Sequence, residues 1–124
     1  MAGRLVHYEI PAKDTAKARE FWGSLFGWEF QQFPEGAEYY ITQITEQLGG
    51  AVSGMDPNLR GPRAYFDVDD IDAAARVREL GGEASERMPV TAMGWFVGCK
   101  DTLGNDFGLW RDDPAAPPME APRS

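Results

Sequence analysis

Along the chain, apolar and polar positions switch between two rhythms. Residues 4–10, R-L-V-H-Y-E-I, alternate in part, as a half-buried strand does, and Pro11 ends the run because it cannot donate to a ladder. Asp14 then suits an N-cap, and Ala16, Ala18, Phe21, Trp22 and Leu25 predict an amphipathic helix to about Phe26, closed by Gly27. Residues 28–33 predict a strand and Pro34-Glu35-Gly36 a turn. Tyr39–Thr45 and Gly50–Met55 predict two more strands, and residues 56–62 read as a linker rich in turn formers.

The order then starts again. Arg63–Val68 predicts a strand, and Asp70 or Asp72 caps a helix to about Leu80 before Gly81-Gly82. Strands follow at 83–87, 93–100 and 107–110, with a turn over Asp101–Asn105. Laid over itself with a shift of 56 positions, the chain puts H-Y-E-I-P-A-K-D on R-A-Y-F-D-V-D-D. Identity is poor, so the case for a repeat rests on the shared order strand-helix-strand-strand-strand. That order predicts an α+β fold of two βαβββ modules; a generic α+β domain with two similar-looking halves would read the same way. The module bounds are about 4–55 and 62–110 within one domain of residues 1–112. Residues 113–124, rich in proline and poor in bulky apolar groups, are expected to form a disordered tail.

At 124 residues the chain can bury a core without disulfides or a structural metal. Its net charge of −8 and lack of a basic run argue against nucleic acid or an anionic membrane as partner. Nothing approaches the ~20 apolar residues of a membrane span, and the first residues lack the apolar core of a signal peptide. The single cysteine, Cys99, excludes an internal disulfide and fits a cytoplasmic protein. The single histidine, His7, rules out a site built from several histidines of one chain.

Gly108 stands out, because it sits inside the strand F-G-L-W, where glycine costs stability and packs nothing. The stretches V-H-Y-E-I-P-A-K-D-T-A-K-A-R-E-F-W-G-S-L-F-G-W-E-F and M-G-W-F-V-G-C-K-D-T-L-G-N-D-F-G-L-W together resemble the vicinal oxygen chelate superfamily. That superfamily includes glyoxalases, extradiol dioxygenases, and fosfomycin and bleomycin resistance proteins. The resemblance spans residues 4–110 and implies paired βαβββ modules whose sheets curl into an open, cup-like mixed sheet with the helices outside. In metal-using members, ligands come from the first and last strand of each module. His7 matches the first such position, but its counterpart is Arg63. The closing glutamate falls on Gly108, and its partner in the first module falls on Gly50 or Ala51. One imidazole beside a permanent cation is a poor divalent site, even with Glu9 added on the same strand face. The expectation is therefore no metal and no cofactor.

Alternation assigns the remaining walls. His7 and Glu9 share one face, as do Arg63, Tyr65 and Asp67; the apolar sets Ala64, Phe66, Val68 and Trp95, Val97, Cys99 face the helices. Gly108, Trp110, Phe96 and Gly98 then line the cup, with Tyr40 and Thr42 as the third wall. Glycines at 98 and 108 would leave room for a flat ligand. Arg63 either clamps a carboxylate or phosphate or pairs with Asp67 or Glu9. His7 beside Glu9 is either a proton-transfer base or a structural histidine. Cys99, on a core face, reads as an inert small hydrophobe, and Phe21 and Trp22 as core and interface packing. The leading expectation is a metal-independent protein that holds a flat or aromatic small-molecule ligand, in a homodimer that completes the open edges. The alternative is an isomerase, hydroxylase or lyase using His7 and Glu9 for proton transfer. A degenerate metal-dependent lyase or dioxygenase comes third.

Overall fold

The computed structural model describes residues 3–55, 61–70 and 72–118. These residues divide into two compact units, Leu5–Ala64 and, with Met1–Arg4 joined to it, Tyr65–Ser124. The α+β class holds in both.

The Leu5–Ala64 unit runs β1 (Leu5–Pro11), α1 (Thr15–Phe26), β2 (Gln31–Gln32), β3 (Tyr39–Gln43) and β4 (Gly49–Ser53). This is the βαβββ order, with strand neighbours β2-β3-β4-β1. β1 and β4 are parallel, while β3 pairs antiparallel with both β4 and β2. Asp14 caps α1 by accepting a hydrogen bond from Lys17 N at 3.0 Å, and Gly27 closes it in the left-handed region at φ 73°. Register divides the sheet cleanly. His7, Glu9, Gly49, Ala51, Tyr39 and Ile41 lie on one face; Tyr8, Gly50, Val52, Tyr40 and Thr42 lie on the other. The second face is the one α1 covers, since the Arg19 guanidinium sits 3.8 Å from the centre of the Tyr40 ring. The predicted strand over 28–33 shrinks to two residues because Trp28 and Phe30 turn back onto the helix, Trp28 stacking on Trp22 at 5.6 Å.

The second unit holds β5 (Arg63–Asp67, which begins in the first unit), α2 (Ala73–Glu79), β6 (Glu83–Ala84), β7 (Met88–Val90), β8 (Gly94–Lys100) and β9 (Asp106–Asp112). Its strand neighbours run β5-β9-β8-β6, with β7 also on β8. The expected strand over 83–87 is thus two short ones. Both pair antiparallel with β8, and Arg78 donates to the carbonyls of Ala84 and Ser85 between them. Val97, Cys99, Leu109 and Ala74 form the core, with Val77, Trp95 and Phe107 packed against it, so the face expected to meet the helix does so. Cys99 is buried there. Asp72 starts α2 without a side-chain cap; Asp70 instead accepts from Asp72 N.

Residues 113–118, expected in the tail, are tied to this unit. Ala116 is buried and its carbonyl accepts from Ala92 N at 3.0 Å, while Asp113 accepts from Trp95 Nε1 at 3.0 Å. Residues 56–60 of the expected 56–62 linker and the end of the tail, 119–124, lie outside the described residues. Among the described residues no helix is long and apolar enough to cross a membrane.

Candidate functional site

On the face of the first unit away from α1, three polar side chains form one chain. Glu9 is buried at 7% exposure, and Tyr39 Oη donates to its Oε2 at 2.7 Å. The same hydroxyl lies 2.8 Å from His7 Nε2. Tyr39 leaves β3 on the far side of β4 from His7 and Glu9, so its side chain must pass over β4 to reach them. The residues that register places on that face of β4 are Gly49 and Ala51, which leave it room. A β-carbon on Gly49 would stand 3.5 Å from His7 Nδ1, ordinary contact for a methyl but too close for a longer side chain pointing the same way. Burial lowers the His7 pKa from its ordinary 6.5 to about 4, so the ring is neutral at physiological pH.

Sequence reasoning put Tyr40, not Tyr39, on this wall. Tyr40 is on the opposite face, under Arg19, together with Thr42. The offset of one residue flips the side chain across the sheet. Ala51, rather than Gly50, faces His7 and Glu9; Gly50 is on the helix side, where an added β-carbon would collide with Ile44.

In the second unit Tyr65, Phe96, Gly108 and Trp110 share the face opposite the core. Phe96 pairs with Trp110 across β8 and β9, and the Tyr65 and Phe96 rings meet edge to face at 6.4 Å. The room at Gly108 is not vacant. A β-carbon built there would fall within 3 Å of three atoms of the Tyr65 ring, the ring's Cγ at 2.9 Å. Trp110 covers Gly94 in the same way, its Cζ2 2.6 Å from where a β-carbon would be, and donates from Nε1 to Asp112 at 2.7 Å. Gly98 differs, since a β-carbon there meets only Ser85 Oγ, at 3.6 Å. Gly108 thus lets the Tyr65 ring lie on the backbone, whereas at Gly94 the backbone carbonyl oxygen of Arg111 would block a β-carbon before the Trp110 ring does. The expectation that glycine 108 leaves space for a flat ligand is corrected accordingly.

Two other expected site residues are placed individually. Arg63 opens β5, half-buried. Asp67 is bonded to Arg4, whose Nε and Nη2 both donate to Oδ2 (2.8 and 2.6 Å) while Arg4 N donates to Oδ1. Desolvation raises its pKa, but the Arg4 hydrogen bonds and charge outweigh that and hold it below the usual carboxylate range. Arg4 carried no signal in the sequence beyond being a cation at a strand start.

A divalent ion does not fit the donors of the first unit: His7 and Glu9 both engage Tyr39, and among the described residues no three of His, Cys, Asp and Glu come together.

Comparison with known proteins agrees on the architecture. Residues 4–44 match the family model described as bleomycin resistance protein-like N-terminal. No curated protein sequence matches the chain significantly. Among solved structures, methylmalonyl-CoA epimerase from Mycobacterium tuberculosis superposes with a TM-score of 0.63 at 19% identity, covering 90% of this chain and 89% of that one. A glyoxalase/bleomycin resistance protein/dioxygenase superfamily member from Vibrio splendidus 12B01 gives 0.65 at 18%, covering 91% and 100%. A variant of homoprotocatechuate 2,3-dioxygenase from B. fuscum gives 0.67 at 18%, covering 93% of this chain and 33% of that larger one.

Proposed function

The chain has the vicinal oxygen chelate fold, and from that premise we propose that it is a metal-independent binding protein for a small, flat organic molecule. The observation that carries this reading is the buried Glu9–Tyr39–His7 chain. Buried polar groups cost about 1–3 kcal/mol each when left unsatisfied. Hydrogen-bonding these three to one another avoids that cost, yet a packing role would need no polar groups on this sheet face at all. The ligand is recognised by that polar chain. The other unit carries an aromatic face of its own in Tyr65, Phe96 and Trp110.

Calorimetric titration of aromatic metabolites and antibiotics tests the reading. The expected result is saturable binding of at least one compound, with no chemical change in it, weakened tenfold or more by Glu9→Ala. If every compound that binds is also converted, the binding reading is wrong.

A second reading has its own support in the connected chain. Glu9, Tyr39 and His7 could pass a proton, as an isomerase or lyase requires. With its pKa lowered to about 4 by burial, His7 is a weak base, and this reading gives the proton-accepting role to Glu9. Activity abolished by Glu9→Gln but retained in His7→Gln would identify it.

We further propose that the chain acts as a cytoplasmic homodimer. Phe21, Leu25 and Phe26 on α1 are 59%, 57% and 56% exposed, beside the stacked rings of Trp22 and Trp28. Phe21, expected in core and interface packing, is on the surface, and a patch of this kind suits a self-complementary contact. Sedimentation should show a dimer that Phe26→Glu converts to monomer; a monomeric parent protein would refute it.

A further inference from the structure

On the helix side of the second unit, α2 and residues 85–87 between β6 and β7 stand on either side of an open cleft of about 480 Å³. That is the size of a small-molecule site. Buried Ala74 and Val97 give it an apolar base. Two charges of each sign line it, Asp72 and Arg78 from the α2 side and Glu86 and Arg87 from the other.

Among the described residues none of these four charges makes an ion pair, although Arg76 and Glu79 of the same helix pair at 3.1 Å. Each arginine is held by other means. Arg78 Nη2 donates to the carbonyls of Ala84 and Ser85, at 3.1 and 3.3 Å. The Arg87 guanidinium lies 4.8 Å from the centre of the Trp95 ring. These contacts use one nitrogen of Arg78 and one face of Arg87. The other donors, in the plane of each guanidinium, suit the two oxygens of a carboxylate.

The charges also limit what can enter. A simple anion meets repulsion from Asp72 and Glu86, and a simple cation meets it from the arginines. Asp72, Ala75 and Arg78 form an i+3 row along α2, whose ends lie about 9 Å apart along the axis at 1.5 Å per residue. A free α-amino acid carries both charges on one carbon, too close together to reach both ends of that row. An extended dipeptide spans about 7 Å between its ends.

We propose that this cleft binds a short peptide by its two free ends: a dipeptide whose carboxylate meets the guanidinium groups of Arg78 and Arg87, whose ammonium meets Asp72 and Glu86, and whose apolar side chain lies on Ala74 and Val97. The cleft shares no residue with the Glu9–Tyr39–His7 chain, and the two sites are tested separately.

Calorimetric titration of the full chain with alanyl-leucine, N-acetyl-alanyl-leucine and alanyl-leucinamide separates the two charges. The expected result is saturable binding of alanyl-leucine, weakened about tenfold or more when either end is blocked. Glu86→Gln should weaken alanyl-leucine and spare the N-acetyl compound, which has no ammonium to lose. Arg87→Gln should weaken alanyl-leucine and spare the amide, which has no carboxylate. No binding of alanyl-leucine by the parent protein, or binding as tight with an end blocked, overturns the proposal without any variant having to fold. Binding that neither substitution weakens also overturns it, because the peptide then sits elsewhere.

Discussion

Replacing Gly108 by alanine should destabilise the protein, and the damage should depend on Tyr65. In ordinary packing, carbon atoms meet at about 3.5–4.0 Å. A β-carbon at 108 would be within 3 Å of the Tyr65 ring, so the ring or the strand must move by about 1 Å. The ring has nowhere convenient to go, being 6% exposed and set edge to face against Phe96. Overpacking of this kind costs about 1–3 kcal/mol, offset by the ~0.5–1 kcal/mol that alanine gains over glycine in a strand. A net loss of about 1–2 kcal/mol follows. Tyr65→Ala alone should cost more, about 3–5 kcal/mol as for other buried aromatics, but it empties the space that the new methyl needs. In that background Gly108→Ala should be neutral or mildly stabilising.

Urea unfolding of the four proteins measures the cycle. With a slope of about 1–3 kcal/mol per molar urea, the single alanine should lower the midpoint by roughly 0.5–1 M, and the coupling energy should be about 2 kcal/mol. Additive effects, within about 0.5 kcal/mol, would refute the claim that Tyr65 is why position 108 has no side chain. The result also bears on function, because a glutamate at 108 would meet the same ring.

Three shorter predictions accompany it. Protonating His7 is disfavoured in the folded state, so its contribution to stability is full above pH ~6.5, falls as pH drops through the window from 6.5 to about 4, and is lost below it. The loss is about 3 kcal/mol, and it should vanish from the pH dependence of urea unfolding in His7→Gln. Truncation after Asp112 removes the Trp95–Asp113 and Ala92–Ala116 hydrogen bonds and should cost about 1–3 kcal/mol in the same assay; an unchanged midpoint would return residues 113–118 to the tail. Thermal melts with Ni²⁺, Zn²⁺, Mn²⁺ or Fe²⁺ should not shift. A hundredfold excess over Kd would add about 2.7 kcal/mol, so a rise of several degrees would overturn the reading of the donor set.

The fold was legible wherever a local signal decided it. Asp14 and Gly27 marked both ends of α1, and the alternation of Trp95, Val97 and Cys99 identified the core face of β8. What failed was register at distance. Which of Tyr39 and Tyr40 faces His7 depends on how β3 meets β4 after the turns at 34–38 and 44–48, and adjacent tyrosines give no alternation to read. The strand at 28–33 failed for a related reason, since Trp28 and Phe30 are good strand residues that found helix partners instead. Gly108 was singled out correctly as a position under constraint, but its neighbour Tyr65 lies 43 residues earlier, and no local pattern joins the two.

Each unit sets its own obstacle to a metal ligand. In the second, the Tyr65 ring occupies the space into which a side chain at 108 would project, so a glutamate placed there fits only if the ring leaves. In the first, His7 Nε2 is bonded to Tyr39, and that hydrogen bond would have to break before the nitrogen could meet an ion. A single change in either unit should therefore cost stability without adding affinity for an ion, which thermal melts of Gly108→Glu and Tyr39→Phe with the same four metals would check.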